Sequence, residues 1–217
     1  NNYRGGDLSR DSRVLLTIQS DRLSSIWVAH GADLDRAKPV TNGKYDGQGG
    51  VAWASSGKIV YVTQDNDIWI VGEDGSNPRL LTIDEHSNAS PFVSMDGRTI
   101  FFSSWRDGNY GVWRMGTDGS DVRMLTNGFW DRYPSCSPDG RWVLYQAYSP
   151  GRPTIWKVGA EGGTPVQWTG KLSAVPVISP DGKRVAGYYQ DAYTSKAVVN
   201  VVAFDGGETE KTFALPS

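Results

Sequence analysis

Trp130, Asp131, Arg132 and Tyr133 form one unbroken run of aromatic, acidic and basic side chains, with Phe129 just before it. The same mixture recurs at Tyr45 and Asp46, at Glu85, His86 and Asn88, and at Trp105, Arg106, Asp107 and Asn109. It recurs again at Tyr148 and Arg152 and at Gln190, Asp191 and Tyr193, with Lys171 in a further connection. Trp or Tyr beside Arg and Asp is the composition of a recognition surface, because rings bring apolar area and the charged groups fix orientation. Such residues suit a peptide, a partner protein, or a glycan ring stacked on an aromatic plate. A structural reading stands beside this one, in which Trp105, Trp130 and Tyr133 roof the junctions between packed sheets. Trp130 is the strongest single candidate.

Catalysis is poorly supplied. The two histidines, His30 and His86, are far apart, whereas a zinc or manganese site wants clustered His, Cys or carboxylate ligands. There is no Gly-x-Ser-x-Gly elbow for a serine hydrolase. Asp46, Glu85 and Asp131 occupy comparable connections, and they are the one arrangement that resembles the carboxylate pair of a glycosidase, which must stand about 5–5.5 or 6.5–9.5 Å apart. The expectation is no enzyme and no cofactor, with a carbohydrate-active protein or lectin as the alternative. Asp65-Asn66-Asp67 and Asp107-Gly108-Asn109 are oxygen-rich but lack the spacing of a calcium loop, so they read as turns. Asn88-Ala89-Ser90 matches a glycosylation acceptor at the rate expected by chance.

The elements that must hold these residues are set by composition and period. With 22 basic and 24 acidic residues the formal charge is -2, which argues against a large nucleic-acid surface. Cys136 is the only cysteine, so no intramolecular disulfide or thiolate cluster forms. It aligns with Trp53, Val93 and Ile178 and should be a small buried apolar group. No apolar window approaches about 18 residues, so no membrane span is expected. The first residues, Asn1-Asn2-Tyr3-Arg4, carry no basic-then-apolar leader, and the absent methionine reads as a processed or excised piece of something longer. Gly 26, Pro 11 and Trp 9 point to many tight turns and large apolar plates.

Trp27, Trp69, Trp113 and Trp156 lie 42, 44 and 43 residues apart, and a threonine follows each by 13 or 14 residues at Thr41, Thr82, Thr126 and Thr169. A third marker is the turn at Ser56-Gly57, Asp96-Gly97, Asp139-Gly140 and Asp181-Gly182. A fifth repeat has Ala197–Phe204 in place of the Trp strand. Each unit reads as four short strands; in the third these are Ser90–Ser94, Thr99–Ser104, Tyr110–Gly116 and Val122–Leu125. Units of about 43 residues, with one aromatic plate each, describe the blades of an all-β propeller. The blades fall at about 3–43, 44–85, 86–129, 130–171 and 172–217, as one domain or as five blades of a larger ring. The Asp-Gly turns share one face and read as structural; the variable aromatic loops share the other.

Ser137-Pro138-Asp139-Gly140-Arg141 and Ser179-Pro180-Asp181-Gly182-Lys183, with Ile-Trp and Leu-Thr downstream, resemble the TolB-type (WD40-like, PD40) propeller repeat. Gly72–Thr82 fits its third-to-fourth strand segment, and only the first repeat departs strongly, with Ser9-Arg10-Asp11-Ser12. In style the order of segments is most similar to propellers attached to bacterial membrane-bound Ser/Thr kinases or winged-helix regulators. The resemblance implies a non-catalytic binding or scaffolding propeller, periplasmic or extracytoplasmic, with a protein or peptide partner or a glycan. It also implies rings of six or more blades. An arc of five would expose two apolar blade faces and drive self-association, which is what a repeat fragment or recombined propeller would show.

Overall fold

The computed structural model describes residues 2–8, 15–20, 23–29, 36–54, 57–83, 86–148, 151–190, 197–206 and 209–215, with the first two stretches described as backbone alone. The described residues form twenty strands and no α-helix. The first repeat forms two separate pairs: β1 (Asn2–Leu8) with β2 (Leu15–Ser20), and β3 (Trp27–Val28) with β4 (Lys38–Pro39). The next four repeats are four-stranded antiparallel meanders. They are β5 to β8 (Val51–Ala54, Lys58–Val62, Ile68–Gly72, Arg79–Leu80) and β9 to β12 (Ser87–Val93, Thr99–Arg106, Asn109–Gly116, Arg123–Met124). Then follow β13 to β16 (Arg132–Cys136, Trp142–Tyr148, Pro153–Gly159, Val166–Gln167) and β17 to β20 (Ser173–Ile178, Arg184–Gln190, Ala197–Ala203, Thr209–Ala214). The chain is thus an all-β propeller of roughly five blades.

The core lies between blades. Strand alternation gives each blade one face toward the preceding blade and one toward the next. Ile59, Tyr61 and Val71 of the second blade pack on Ile26, Val28 and Val40 of the first. Val60, Val62, Ile68 and Ile70 meet Ile100, Phe102 and Met115 of the third. Phe101 and Val112 meet Val143, Tyr145 and Val158 of the fourth. Leu144 and Ile155 meet Ile178 and Val185 of the fifth. Trp69, Trp113 and Trp156 pack at the margins of the first three layers, as the repeat spacing predicts. Trp27 is different: it is 57% exposed, because it points away from the second blade. Cys136 is buried, as are Val93 and Ile178, but the aligned Trp53 is 58% exposed, so that repeat position is covered only from the third blade onward.

Two repeated markers acquire a cause. The threonine Oγ1 of Thr41, Thr82 and Thr126 accepts the backbone N–H of Ile26, Ile68 and Val112, at 3.1, 2.9 and 3.0 Å, which clips the outer strand to the Trp strand. Thr169 breaks the pattern and accepts from the Lys171 amide instead. In the Ser-x-Asp-Gly turns, Asp96, Asp139 and Asp181 each accept a 2.6 Å bond from the serine two residues earlier. Each also accepts an amide two residues later, and the glycine takes the left-handed φ that the tight turn requires.

A third repeated feature shapes the axis. Ser90-Pro91, Tyr133-Pro134 and Val175-Pro176 sit at bulges in the innermost strands, with φ of 53°, 56° and 50°. The bulge swings each amide toward the preceding blade: Ser90 N–H to Gly49 O, Tyr133 N–H to Ser103 Oγ, Val175 N–H to Gln146 Oε1. A left-handed φ at β-branched Val175 is costly and persists only where surrounding bonds hold it. These inner strands line an axial space of about 410 Å³.

Candidate functional site: an aromatic cluster at the funnel mouth

The site is built on a tight hairpin. β10 and β11 turn at Asp107-Gly108, both with positive φ, so Trp105 and Tyr110 are directly opposed across the ladder. Their ring centroids are 5.1 Å apart at 71°. Asn109 of the same hairpin clamps the following connection: its Oδ1 accepts the Trp130 amide at 3.1 Å, and its Nδ2 donates to Gly128 O. Trp130, at φ 58°, is thereby set against Trp105 at 6.1 Å, Tyr110 at 5.5 Å, Phe129 at 6.4 Å and Tyr148 at 6.3 Å. The tilted and edge-on contacts are the favoured ones for aromatic pairs. Trp130 is the hub. Trp105, Phe129 and Tyr148 keep exposed surface around it.

Arg132 connects this cluster to the axis. Its guanidinium lies 4.6 Å over the Tyr110 ring and 5.1 Å from that of Tyr133, and its buried Nε has no hydrogen-bond partner. Tyr110 and Arg132 form one wall of a funnel of about 760 Å³, whose other walls include Lys44, Tyr45, Gln48, Gln64 and Asn66. None of the described residues lining it is a carboxylate. The funnel is therefore cationic and amide-rich, with two phenols.

Several expected site residues are placed elsewhere. Arg106 turns to the flank of its blade, where its guanidinium lies 4.0 Å over Trp113 and its Nε donates to Ser104 Oγ. Tyr133 lines the axial space below the funnel. Asp131 is wholly buried: its Oδ2 accepts the Gly128 amide at 3.0 Å, and desolvation pushes its carboxyl above the ordinary range against the opposing bonds from Thr126 and Gly128. Asp46 makes the equivalent 2.9 Å bond to the Gly43 amide. Both aspartates end a Thr-Asn-Gly-x-x-Asp connection, Thr41–Asp46 and Thr126–Asp131, a shared pattern that identifies them as loop staples. Neither lines the funnel, so the glycosidase arrangement is not assembled by these two; Glu85, its third member, lies outside the described residues. His86 and Arg152 line neither the funnel nor the axial space. Tyr193 and Asp191 also lie outside the described residues.

Tyr110 is the functional candidate that sequence reasoning passes over. It opens a strand and reads as scaffold, and only the two-residue hairpin turn puts it opposite Trp105. Lys44, Gln48, Gln64 and Asn66 are likewise polar loop residues without a local signal, gathered by closure of the blades around the axis. Among the described residues no group of three His, Cys, Asp or Glu side chains converges to hold a metal ion. Burial and the nearby Asp139 and Asp96 carboxylates push the Cys136 thiol up to about 12, so it is inert at neutral pH. No described helix is long and apolar enough to cross a membrane.

Comparison with known proteins agrees with this architecture. The TolB beta propeller domain family model, PD40, matches residues 9–169. An uncharacterized protein of Agrobacterium fabrum, Atu1656, is 39% identical over 72 residues, which cover 32% of this chain and 25% of that protein. The crystal structure of TolB from Acinetobacter baumannii superposes with a TM-score of 0.73 at 21% identity, covering 86% of this chain and 48% of that one. A TolB candidate from Agrobacterium tumefaciens superposes with a TM-score of 0.74 at 22% identity, covering 98% and 82%. The chain thus spans a quarter of Atu1656 and about half of Acinetobacter TolB, and the structural likenesses speak to the fold. With the family model matching most of its length, the chain belongs to the TolB β-propeller domain family.

Proposed function

We propose that this propeller is a non-catalytic binding or scaffolding module of the bacterial envelope, working outside the cytoplasm as part of a larger system. On this reading it captures a protein segment at the funnel mouth. The observation that supports it is the Trp130 hub: five aromatic rings at one blade junction, three with open surface, beside a funnel that holds Arg132 and has no carboxylate among its described lining residues. Clustered rigid rings beside an arginine are the usual anchors of protein recognition. These five rings belong to none of the blade cores, which are closed by their own apolar layers. The lining favours a segment carrying carboxylates or amides over a cationic one.

The test is selection from a random peptide display library against the immobilised chain, with the Trp105→Ala/Trp130→Ala double variant as counter-selection. Peptides enriched on the parent and lost on the double variant, at unchanged melting temperature, support the site. If the double variant loses its fold together with its binding, the rings are only a roof over the junction. Enrichment of glycans instead of peptides on an array would favour a lectin.

A further inference from the structure

We infer that the funnel selects a peptide segment by a carboxylate, which pairs with the Arg132 guanidinium. This rests on the peptide-capture reading above and names the chemistry its ligand must carry. Arg132 opens β13 opposite Gln146, one residue before the bulge at Tyr133-Pro134. Its guanidinium is stacked against two rings, 4.6 Å over that of Tyr110 and 5.1 Å from that of Tyr133. Stacking engages the faces of a guanidinium and leaves its N–H edge for an acceptor lying in its plane. Here the buried Nε has no hydrogen-bond partner. A buried donor left without an acceptor is rare enough to require a reason.

Other arginines have their carboxylates. Arg114 pairs with Glu161, Arg141 with Asp139 at 2.7 Å and Arg184 with Glu210 at 2.7 Å. Arg132 pairs with none among the described residues, although Asp131 precedes it. The Asp131 side chain is buried in its own loop, where Oδ2 takes the Gly128 amide. Asp46 is withdrawn onto the Gly43 amide in the same way, beside Lys44 and Tyr45 of the funnel lining. The two staples thus keep both neighbouring carboxylates out of the funnel and leave Arg132 and Lys44 to a carboxylate from outside. Phosphate is less well matched, because phosphate-reading sites gather several arginines and Arg132 is the single one among the described lining residues. Tyr110 touches Trp130 at 5.5 Å and carries Arg132 over its face. An apolar residue docked on the hub therefore brings a carboxylate within about three residues of it to the guanidinium.

The test uses the peptides selected by display on the full chain, resynthesised in matched forms and titrated by calorimetry. One form keeps every carboxylate, one has its C-terminus amidated, one has each Asp and Glu replaced by Asn and Gln, and one has both changes. Removing the recognised carboxylate should weaken binding by about tenfold or more, and the form that loses affinity tells a side-chain carboxylate from a chain terminus. Arg132→Gln should bind intact and carboxylate-free forms alike, with near-ultraviolet circular dichroism checking its fold, and Arg132→Lys should recover part of the preference. Arg141→Gln, on the turn face, should leave capture unchanged. Peptides that are lost on the Trp105→Ala/Trp130→Ala variant but are indifferent to removal of every carboxylate overturn the inference and leave the hub reading standing. A folded Arg132→Gln chain that keeps the preference does the same. Should that variant fail to fold, the matched peptides on the parent still decide. A parent that selects no peptide, or selects only those the double tryptophan variant binds equally, brings down the hub reading and this inference with it.

Discussion

Asp139 and Asp131 are eight positions apart, on opposite faces of the same blade, and their carboxyls are driven in opposite directions. Asp139 lies in the repeated turn, and bonds from Ser137 Oγ and the Arg141 amide and side chain hold it down to about 2. Asp96 and Asp181 sit in the same cage and are lowered for the same reason. Asp131, under the aromatic hub, is buried and raised. The turn face repeats one solution in the third, fourth and fifth blades because each hairpin must solve the same local problem. The funnel face repeats the loop staple of Asp46 and Asp131, but the cluster of Trp130, Arg132 and Tyr110 has no counterpart among the described residues. Repetition therefore marks folding chemistry, and its local breakdown marks the candidate site.

The sharpest way to break this contrast is to truncate the hub. Trp105→Ala/Trp130→Ala should cost about 2–4 kcal/mol of affinity for peptides selected on the parent, measured by titration calorimetry, with little change in melting. Asp131→Ala should do the reverse. It strands the Gly128 amide and should cost about 1–3 kcal/mol of stability in denaturant melts. Asp131→Asn keeps an acceptor and removes a charge that burial disfavours, so it should melt at or above the parent at neutral pH. Because the Asp131 carboxyl is raised, its contribution to stability falls as pH rises through its folded value, and the asparagine variant should lose that slope.

On the turn face, Ser137→Ala removes the 2.6 Å bond to Asp139 and the acceptor of the Trp142 amide, and should cost about 0.5–1.5 kcal/mol without touching affinity. The smallest effect belongs to pH. Asp139 is depressed below its ordinary 3.8, so its stabilisation is complete above that value and is lost as pH falls towards about 2. Asp139→Asn should flatten that acid limb slightly in thermal melts, since the group is at the surface and screened by solvent. A large loss of affinity from either turn variant would break the division between the two faces.

The blades were legible because their signals are local. Trp spacing, the Asp-Gly turns and the Thr clip lie within one repeat, and alternation alone tells which side of a strand is apolar. The X-Pro bulges at Pro91, Pro134 and Pro176 were also there to be read, spaced 43 and 42 apart, but their meaning is axial and no single repeat reveals it. Composition at the loop tips singled out Trp105, Trp130, Arg132 and Tyr45; Trp105 and Trp130 pack against Tyr110, and Tyr110, Arg132 and Tyr45 line the funnel. It could not separate them from Asp131, whose loop looks equally exposed in sequence and is buried by its own connection. Nor could it single out Tyr110 as a wall of the funnel. By itself, then, the order of residues determined the repeat, the four-stranded meander and the apolar side of each strand, since these follow from backbone geometry within some forty residues. Tertiary structure alone decided which loop residues share a surface, which carboxylates lose their water, and why Trp27 stays uncovered where Trp113 is packed, since each depends on what a neighbouring blade places opposite.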